Sequence, residues 1–583
     1  MSSKLTINVG LRYEWSSPYT ERHNLQQFSD FTASTGISVN LPDVSNPSLT
    51  DAPTAGATAT QLIGTTLYPI QNGMGRSVPT DRNNIAPRLG FAYSLTNTTV
   101  IRGGAGIYYG MSPATNFQYP GTVYSGGGNA LFSLDANVSR NSEVSLSNPF
   151  PNGLPVAQGQ KYGAIALWGY DNSNNVGQEE ARNADIYQWN IGIQHLFPWE
   201  ITIGVDYSAN HSTALPWGGY SSTRNRNFIS SNLLAQLSQQ LHAQDPNCDD
   251  DSCVTNYLNQ TVDNPFQPFF VGSNARFNEP ASFYNEQQIP LYYLLRPFPQ
   301  FAGSFQALPN FGAESWYNSL QVRFEKRMNH CFSFEGNYTY SKATDDNSIG
   351  ANAFVGNLDL GNPQQLDRLH KEWAISANDA TNRLVFAGIF SIPIGRGLWI
   401  GKDMSRVLDA FVGGWQLSGL YTYQTGQPLP ISMASPRLQD GNQRPNTVCS
   451  QLGSGFSYHA AAANGLNFAA GQDVNPYSTS VLNPDCFSDP GDQNPGDAPR
   501  YFSKIRTDGI RNLDMSLMKR FTVHEGMTLQ FRAEAFNFTN STRFAFPNLS
   551  WAPGAPGVDS TFGQVTATAN QARRLQLGLR FQF

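Results

Sequence analysis

The chain has 583 residues, a net charge of −6, only 14% charged residues against 12% aromatic ones, 52 glycines and a polar mean hydropathy of −0.38. It contains no run of 18 apolar residues, which excludes a membrane-spanning helix, and no lysine/arginine cluster, which excludes an electrostatic footprint for nucleic acid. A transmembrane barrel stays open, because its strands hide their hydrophobicity in alternation and average out as polar.

Period-two alternation marks twelve segments. In chain order they are 5–15 (LTINVGLRYEW), 87–95 (PRLGFAYSL), 100–109 (VIRGGAGIYY), 187–196 (YQWNIGIQHL), 200–208 (EITIGVDYS), 316–326 (WYNSLQVRFEK), 331–340 (CFSFEGNYTY), 383–392 (RLVFAGIFSI), 413–424 (GWQLSGLYTYQT), 510–519 (IRNLDMSLMK), 527–537 (MTLQFRAEAFN) and 574–583 (RLQLGLRFQF). The first puts Leu5, Ile7, Val9, Leu11, Tyr13 and Trp15 on one face; the last does the same with Leu575, Leu577, Leu579, Phe581 and Phe583. Segment 383–392 has apolar residues on both faces.

The gaps between segments run 71, 4, 77, 3, 107, 4, 42, 20, 85, 7 and 36 residues, long and short in strict turn. Soluble β-sandwiches space their strands evenly, whereas outer-membrane barrels join strands by short periplasmic turns and long extracellular loops. The expected fold is therefore all-β, a transmembrane antiparallel β-barrel in the bacterial outer membrane. It forms a single domain over 1–583, with extracellular loops at 16–86, 110–186, 209–315, 341–382, 425–509 and 538–573. Their Ser/Asn/Gly/Pro-rich text reads as surface loop with some hairpin, and several strands are expected to run on into them.

Arg12, Glu14, Arg88, Arg102, Arg323, Glu325, Arg532, Glu534, Arg574 and Arg580 fall on the polar faces and are expected to face the lumen, since such charges are costly in lipid. Trp15, Tyr13, Tyr108, Tyr109, Trp189, Trp316, Tyr338, Tyr340, Tyr421 and Tyr423 cluster near strand ends, as aromatic girdles do.

Five stretches together resemble a known family: PRLGFAY at 87–93, WYNSLQVRFEKR at 316–327, FSFEGNYTYSKATDD at 332–346, GWQLSGLYTYQTGQP at 414–428, and RNLDMSLMKRF with LQFRAEAFNFTN in 511–540. They are similar to the barrel of Oar-like TonB-dependent outer-membrane receptors, which carry a carboxypeptidase-regulatory-like domain ahead of a plug and a barrel. The resemblance implies about 22 strands, a plug, a TonB box and a signal peptide. Only twelve strands are clear here, and MSSKLTINVG shows no charged region followed by an apolar core. The chain is thus expected to be the carboxy-terminal part of such a barrel, without signal peptide or plug. A terminal aromatic after alternating apolar residues is similar to the signal read by the barrel assembly machinery, with Phe583 the main position and Phe581 and Leu579 behind it.

Among residues able to carry chemistry, Cys248 with Cys253 and Cys449 with Cys486 lie in loop-like sequence and permit two disulfides in an oxidising compartment, although sequence does not fix connectivity; Cys331 is left over. Asp249, Asp250 and Asp251 are weak candidates for a cation, lacking the glycine and distal glutamate of an EF-hand loop. GGAGIYYG at 103–110 sits in a strand with no following helix, so it is not a dinucleotide fingerprint. The eight histidines form neither HExxH nor a partner to a GxSxG elbow. Neither an enzyme nor a cofactor is expected.

The expected function is binding of a large nutrient at the extracellular loops for import, with outer-membrane lipid, the assembly machinery, a plug and the TonB system as partners. The alternative is a passive porin or a loop-heavy surface-interaction barrel. Twelve strands left open would present unpaired edges to lipid, where each unsatisfied backbone group costs several kcal/mol, so an isolated chain is expected to misassemble or to close into a smaller barrel.

Overall fold

The computed structural model describes residues 4–15, 28–67, 80–110, 168–169, 176–177, 182–216, 224–245, 253–271, 283–307, 311–329, 331–346, 351–352, 356–357, 363–449, 481–524, 527–553 and 561–583. Twelve long strands make one antiparallel wall: β1 (Leu5–Glu14), β2 (Asn84–Ser94), β3 (Thr99–Tyr109), β4 (Asp185–Phe197), β5 (Ile201–Pro216), β6 (Phe311–Asn329), β7 (Phe332–Asp345), β8 (Asn382–Ser391), β9 (Trp415–Gln424), β10 (Ile510–His524), β11 (Met527–Phe536) and β12 (Arg574–Gln582). Their spatial order is their chain order, and Ala374–Ile375 adds a short strand beside the end of β7. Each of the twelve alternating segments is one of these strands.

The register keeps the alternation continuous across the wall. Leu5, Ile7 and Val9 stand opposite Tyr93, Phe91 and Leu89. Far along the sheet, Leu529, Phe531 and Ala533 stand opposite Phe581, Leu579 and Leu577. A one-residue slip at any ladder would turn apolar side chains onto the polar face, so the pattern itself pins the register. The apolar face is exposed, with Val9 79% and Leu577 74% accessible, as befits a surface solvated by lipid tails. Glycine permits close packing within this face: a Cβ on Gly336 would run into the Phe324 ring opposite it.

Among the described residues β1 pairs only with β2, and β12 only with β11. Among the described residues the wall is therefore open, with no ladder joining β1 to β12. Two cavities on the polar face are each bounded by six adjacent strands, so the wall bends around that face and leaves it concave.

The two ends of the wall differ. At one end the links are short: Leu95 and Thr96 both donate to the Thr99 carbonyl, and Trp199 and Glu200 turn the chain in the left-handed region with φ 64° and 59°. The longest of these links, 392–414, holds a short helix. At the other end β5, β6 and β7 run on for 16, 19 and 14 residues into the long connections.

Where they are described, those connections share apolar cores, which a surface-loop reading of their composition does not foresee. One core gathers Phe31 and Leu62 from the first connection, Trp168 from the second, and Leu237, Tyr257, Phe266 and Phe301 from the third. The third contributes helices α1 (Ser231–His242) and α2 (Cys253–Leu258), α1 being capped by the Ser230 hydroxyl, which accepts from the Leu233 amide. A second core joins Leu429, Ile431, Val481 and Phe502 of the fifth connection to Leu549, Trp551 and Phe562 of the sixth. Together they form a canopy over the loop end.

Candidate functional site

The surfaces available for ligand handling are the concave polar face and the canopy above it. By register, all ten charged residues expected to face the lumen share the polar face. They pair locally. Arg12 Nε lies 2.8 Å from Glu14, Arg102 reaches Asp206 at 3.5 Å, and Arg532 reaches Glu534 at 3.4 Å. Arg323 lies between Glu325 at 3.2 Å and Glu335 at 3.4 Å. The Arg88 guanidinium stacks over Tyr108 at 4.4 Å and Arg574 over Phe536 at 5.9 Å, while Arg580 stands opposite Gln530. These side chains are largely exposed, so each pair contributes little stability; their effect is a polar, hydrated surface.

That surface is uneven. A cavity of about 570 Å³ is lined by Glu325, Glu335, Asp514 and Glu534, together with Arg327. A second, of about 510 Å³, is lined by Arg88, Tyr108 and the amides of Asn8, Gln188, Asn190 and Asn210. One half of the wall is thus acid-lined and the other amide-lined.

The canopy is tied together by polar contacts that cross connections. Arg296 of the third connection meets Asp440 of the fifth at 2.9 Å, and Asp440 also accepts from the Ile229 amide at 3.2 Å. Burial pushes the Asp440 carboxyl above its ordinary range, opposed by the neighbouring Arg296. The same guanidinium faces the rings of Tyr292 and Tyr293. Asp492 accepts from the Thr255 amide at 2.8 Å, and Asp367 from the Ser231 amide at 2.8 Å. Below these, Arg444 pairs with Glu372, Arg506 with Asp379 at 2.7 Å, and Arg500 with Asp345, joining the fourth connection to the fifth and the canopy to the end of β7.

Cys449 and Cys486 form a disulfide within the second canopy core. Cys253 is a free thiol buried at the start of α2, serving as a small apolar group; Cys248, the partner that the spacing permitted, lies outside the described residues, as do Asp249, Asp250 and Asp251. Cys331, at the short link before β7, is also free. Among the described residues no three His, Cys, Asp or Glu side chains converge as a metal site would require.

The aromatic residues sort by height. Tyr13, Tyr109, Trp189, Trp316, Tyr340 and Tyr423 lie on the apolar face toward the canopy, where Trp316 stacks on His211 at 4.0 Å; Tyr108 points to the polar face. A second girdle, missed in the sequence, runs along the short-link end through Phe197, Phe332, Phe390 and Trp415. Two lysines also sit on the apolar face at that end. Lys326 donates to the Arg327 and Phe332 carbonyls, both at 3.3 Å, and lies over the Phe332 ring. Lys519 lies over Trp415 and Phe521. Both are buried cations snorkelling toward a polar rim.

Solved structures similar to this chain include the outer membrane transporter YddB from Escherichia coli, with 8% identity, a TM-score of 0.36, and coverage of 90% of this chain and 43% of that one. The ferric-catecholate import receptor Fiu from E. coli K12 gives 8% identity, TM-score 0.34, and coverage of 100% and 42%. The ferripyoverdine receptor of Pseudomonas aeruginosa gives 8%, 0.33, 89% and 35%. The chain thus spans less than half the length of these proteins. No curated protein matches its sequence. The family described as outer membrane beta barrel domain matches residues 1–576, and with the two-faced wall already in view the chain belongs to that family, a β-barrel protein of the bacterial outer membrane.

Proposed function

We propose that the chain is the carboxy-terminal wall and canopy of an Oar-like TonB-dependent receptor, which binds a large nutrient at the canopy and passes it along the polar face once a plug rearranges. The observation that carries this reading is the canopy: a wall that ends in cross-connected, cored structure suits capture of a ligand better than free diffusion. In this reading the polar face lines the lumen, and its exposed ion pairs hold a hydrated surface against which a plug can move.

The test is growth of cells making the whole receptor that contains this wall, with and without an intact TonB protein, on iron chelates, glycans and peptides as limiting sources. An advantage that vanishes without TonB supports the receptor; an advantage indifferent to TonB supports a passive pore. The assembly role of Phe583 is tested separately. Phe583→Ser is expected to lower the folded, heat-modifiable fraction in the outer membrane, because the aromatic terminus, with Phe581 and Leu579 behind it, is the feature offered to the assembly machinery; an unchanged fraction would remove that role.

A further inference from the structure

We propose that residues 392–414, the link between β8 and β9, form an interfacial lipid anchor lying in the periplasmic leaflet of the outer membrane. The inference rests on the outer-membrane placement of the wall and adds to it a part that neither spans the bilayer nor lines the lumen.

The link is a built structure. Helix α3 (Arg406–Val412) starts at Ser405, whose hydroxyl accepts from the Leu408 amide, and ends at Gly413–Gly414, the latter at φ 71°. Asp409 points back and accepts from the Arg396 amide at 2.7 Å, locking the helix to the preceding loop. With Asp409 turned inward, the opposite side of the helix presents Val407, Leu408 and Phe411 outward, joined by Leu398, Trp399 and Ile400 of the loop. Phe411 is 73% and Trp399 74% accessible. No water-facing helix gains from such a surface.

Its attachment says which solvent it faces. Trp415, on the apolar face of the wall, donates its indole N–H to the Phe411 carbonyl at 2.9 Å. Lys519, beside it on the same face, reaches the Asp409 carbonyl at 3.4 Å. The helix is therefore moored to the lipid side of the rim, continuous with the short-link girdle. Arg396, Lys402 and Arg406 are exposed beside the apolar patch, where they suit anionic headgroups. An apolar helix face flanked by basic residues settles about 5–10 Å into the headgroup boundary.

The test replaces Phe411 by a prodan-type fluorescent amino acid in the full chain, reconstituted in phosphatidylethanolamine/phosphatidylglycerol vesicles, with the same group at Val322 in mid-wall as reference. The expected result at 411 is blue-shifted emission, quenching by lipids labelled near the headgroup in preference to those labelled near the chain end, and resistance to iodide. Iodide quenching as strong as at a solvent-exposed site, or protection from both lipid and iodide as in a protein contact, overturns the anchor. Loss of deep-lipid quenching at Val322 would instead locate the failure in the wall.

Discussion

Arg444 and Glu372 meet through two parallel contacts, Nη1 to Oε2 at 2.7 Å and Nη2 to Oε1 at 3.2 Å, with side chains only 5% and 2% exposed. Arg444 Nε also donates to the Ala498 carbonyl, Glu372 Oε1 accepts from the Gln364 amide, and Arg500 donates to the Glu372 carbonyl. Each guanidinium nitrogen donates and each carboxylate oxygen accepts, which offsets much of the cost of burying both charges. Removing one partner strands the other in a dry site, a loss of about 3–5 kcal/mol. Arg444→Met is therefore expected to deprotect residues 363–376 and 440–449 in hydrogen exchange. Arg444→Met with Glu372→Leu should recover most of the loss, since a packed apolar pair is close to neutral. A double variant as damaged as the single one would show that shape, not charge, holds this joint.

Asp346, just beyond the end of β7, is largely buried and accepts from the Glu314 amide at 2.7 Å. Burial is the main cause that raises its carboxyl from the ordinary 3.8 to about 6, with the Glu314 amide and Arg500 pulling the other way. A carboxyl whose folded value is raised costs stability when ionised. The cost is fully present above about pH 6, falls as pH drops through 6 toward 3.8, and is absent below. Asp346→Asn keeps an acceptor for Glu314 and removes the charge. Once intrinsic exchange is corrected for, the wild-type ladder around Glu314 should become better protected between pH 7 and pH 4, and the variant should lose that slope. A slope retained in the variant would assign it to another group.

The wall was legible because its constraint is local. Each of Leu5, Ile7, Val9 and Leu11 declares its face within two residues, and the register only repeats that choice along the sheet. The canopy was not legible because its partners are remote: Trp168 packs edge-on to Phe266 and Phe269, and Asp440 reaches back to Arg296 and Ile229. No periodic signal links such positions, and Ser/Asn/Gly/Pro-rich text conceals a core supplied by several connections at once. Helix α3 lies between these extremes. Ser405, the Val407/Phe411 and Leu408/Val412 spacings and Gly413–Gly414 spell a capped helix, but strand alternation alone shows the segment only as one of the shorter gaps.

Cys449 and Cys486 close a separation of 37 residues inside the second core, where Cys486 is fully buried. By loop-closure entropy such a bond is worth about 4 kcal/mol. Cys486→Ser, or reduction of the wild-type protein, is expected to open the core around Leu429, Val481 and Phe502 to protease while leaving the wall's heat-modifiability unchanged, since no wall strand lies within that bond. Loss of both together would mean that canopy and wall fold as one cooperative unit.

Val322 and Arg323 are neighbours on β6 that face opposite solvents. Val322 sits between Val205 and Tyr338 on the apolar face, whereas Arg323 pairs with Glu325 and Glu335 on the polar one. A charge placed toward lipid at the bilayer midplane costs about 2–4 kcal/mol; loss of an exposed ion pair costs at most about 1 kcal/mol. In urea unfolding from lipid vesicles, Val322→Arg is therefore expected to be strongly destabilising and Arg323→Ala nearly silent. Because the substitutions lie one residue apart on the same strand, differences in depth, strand position and neighbouring ladders largely cancel, and the face each side chain occupies is what remains. Equal costs at the two positions would mean that both faces meet the same medium, and the assignment of lipid to one and water to the other would fall with them.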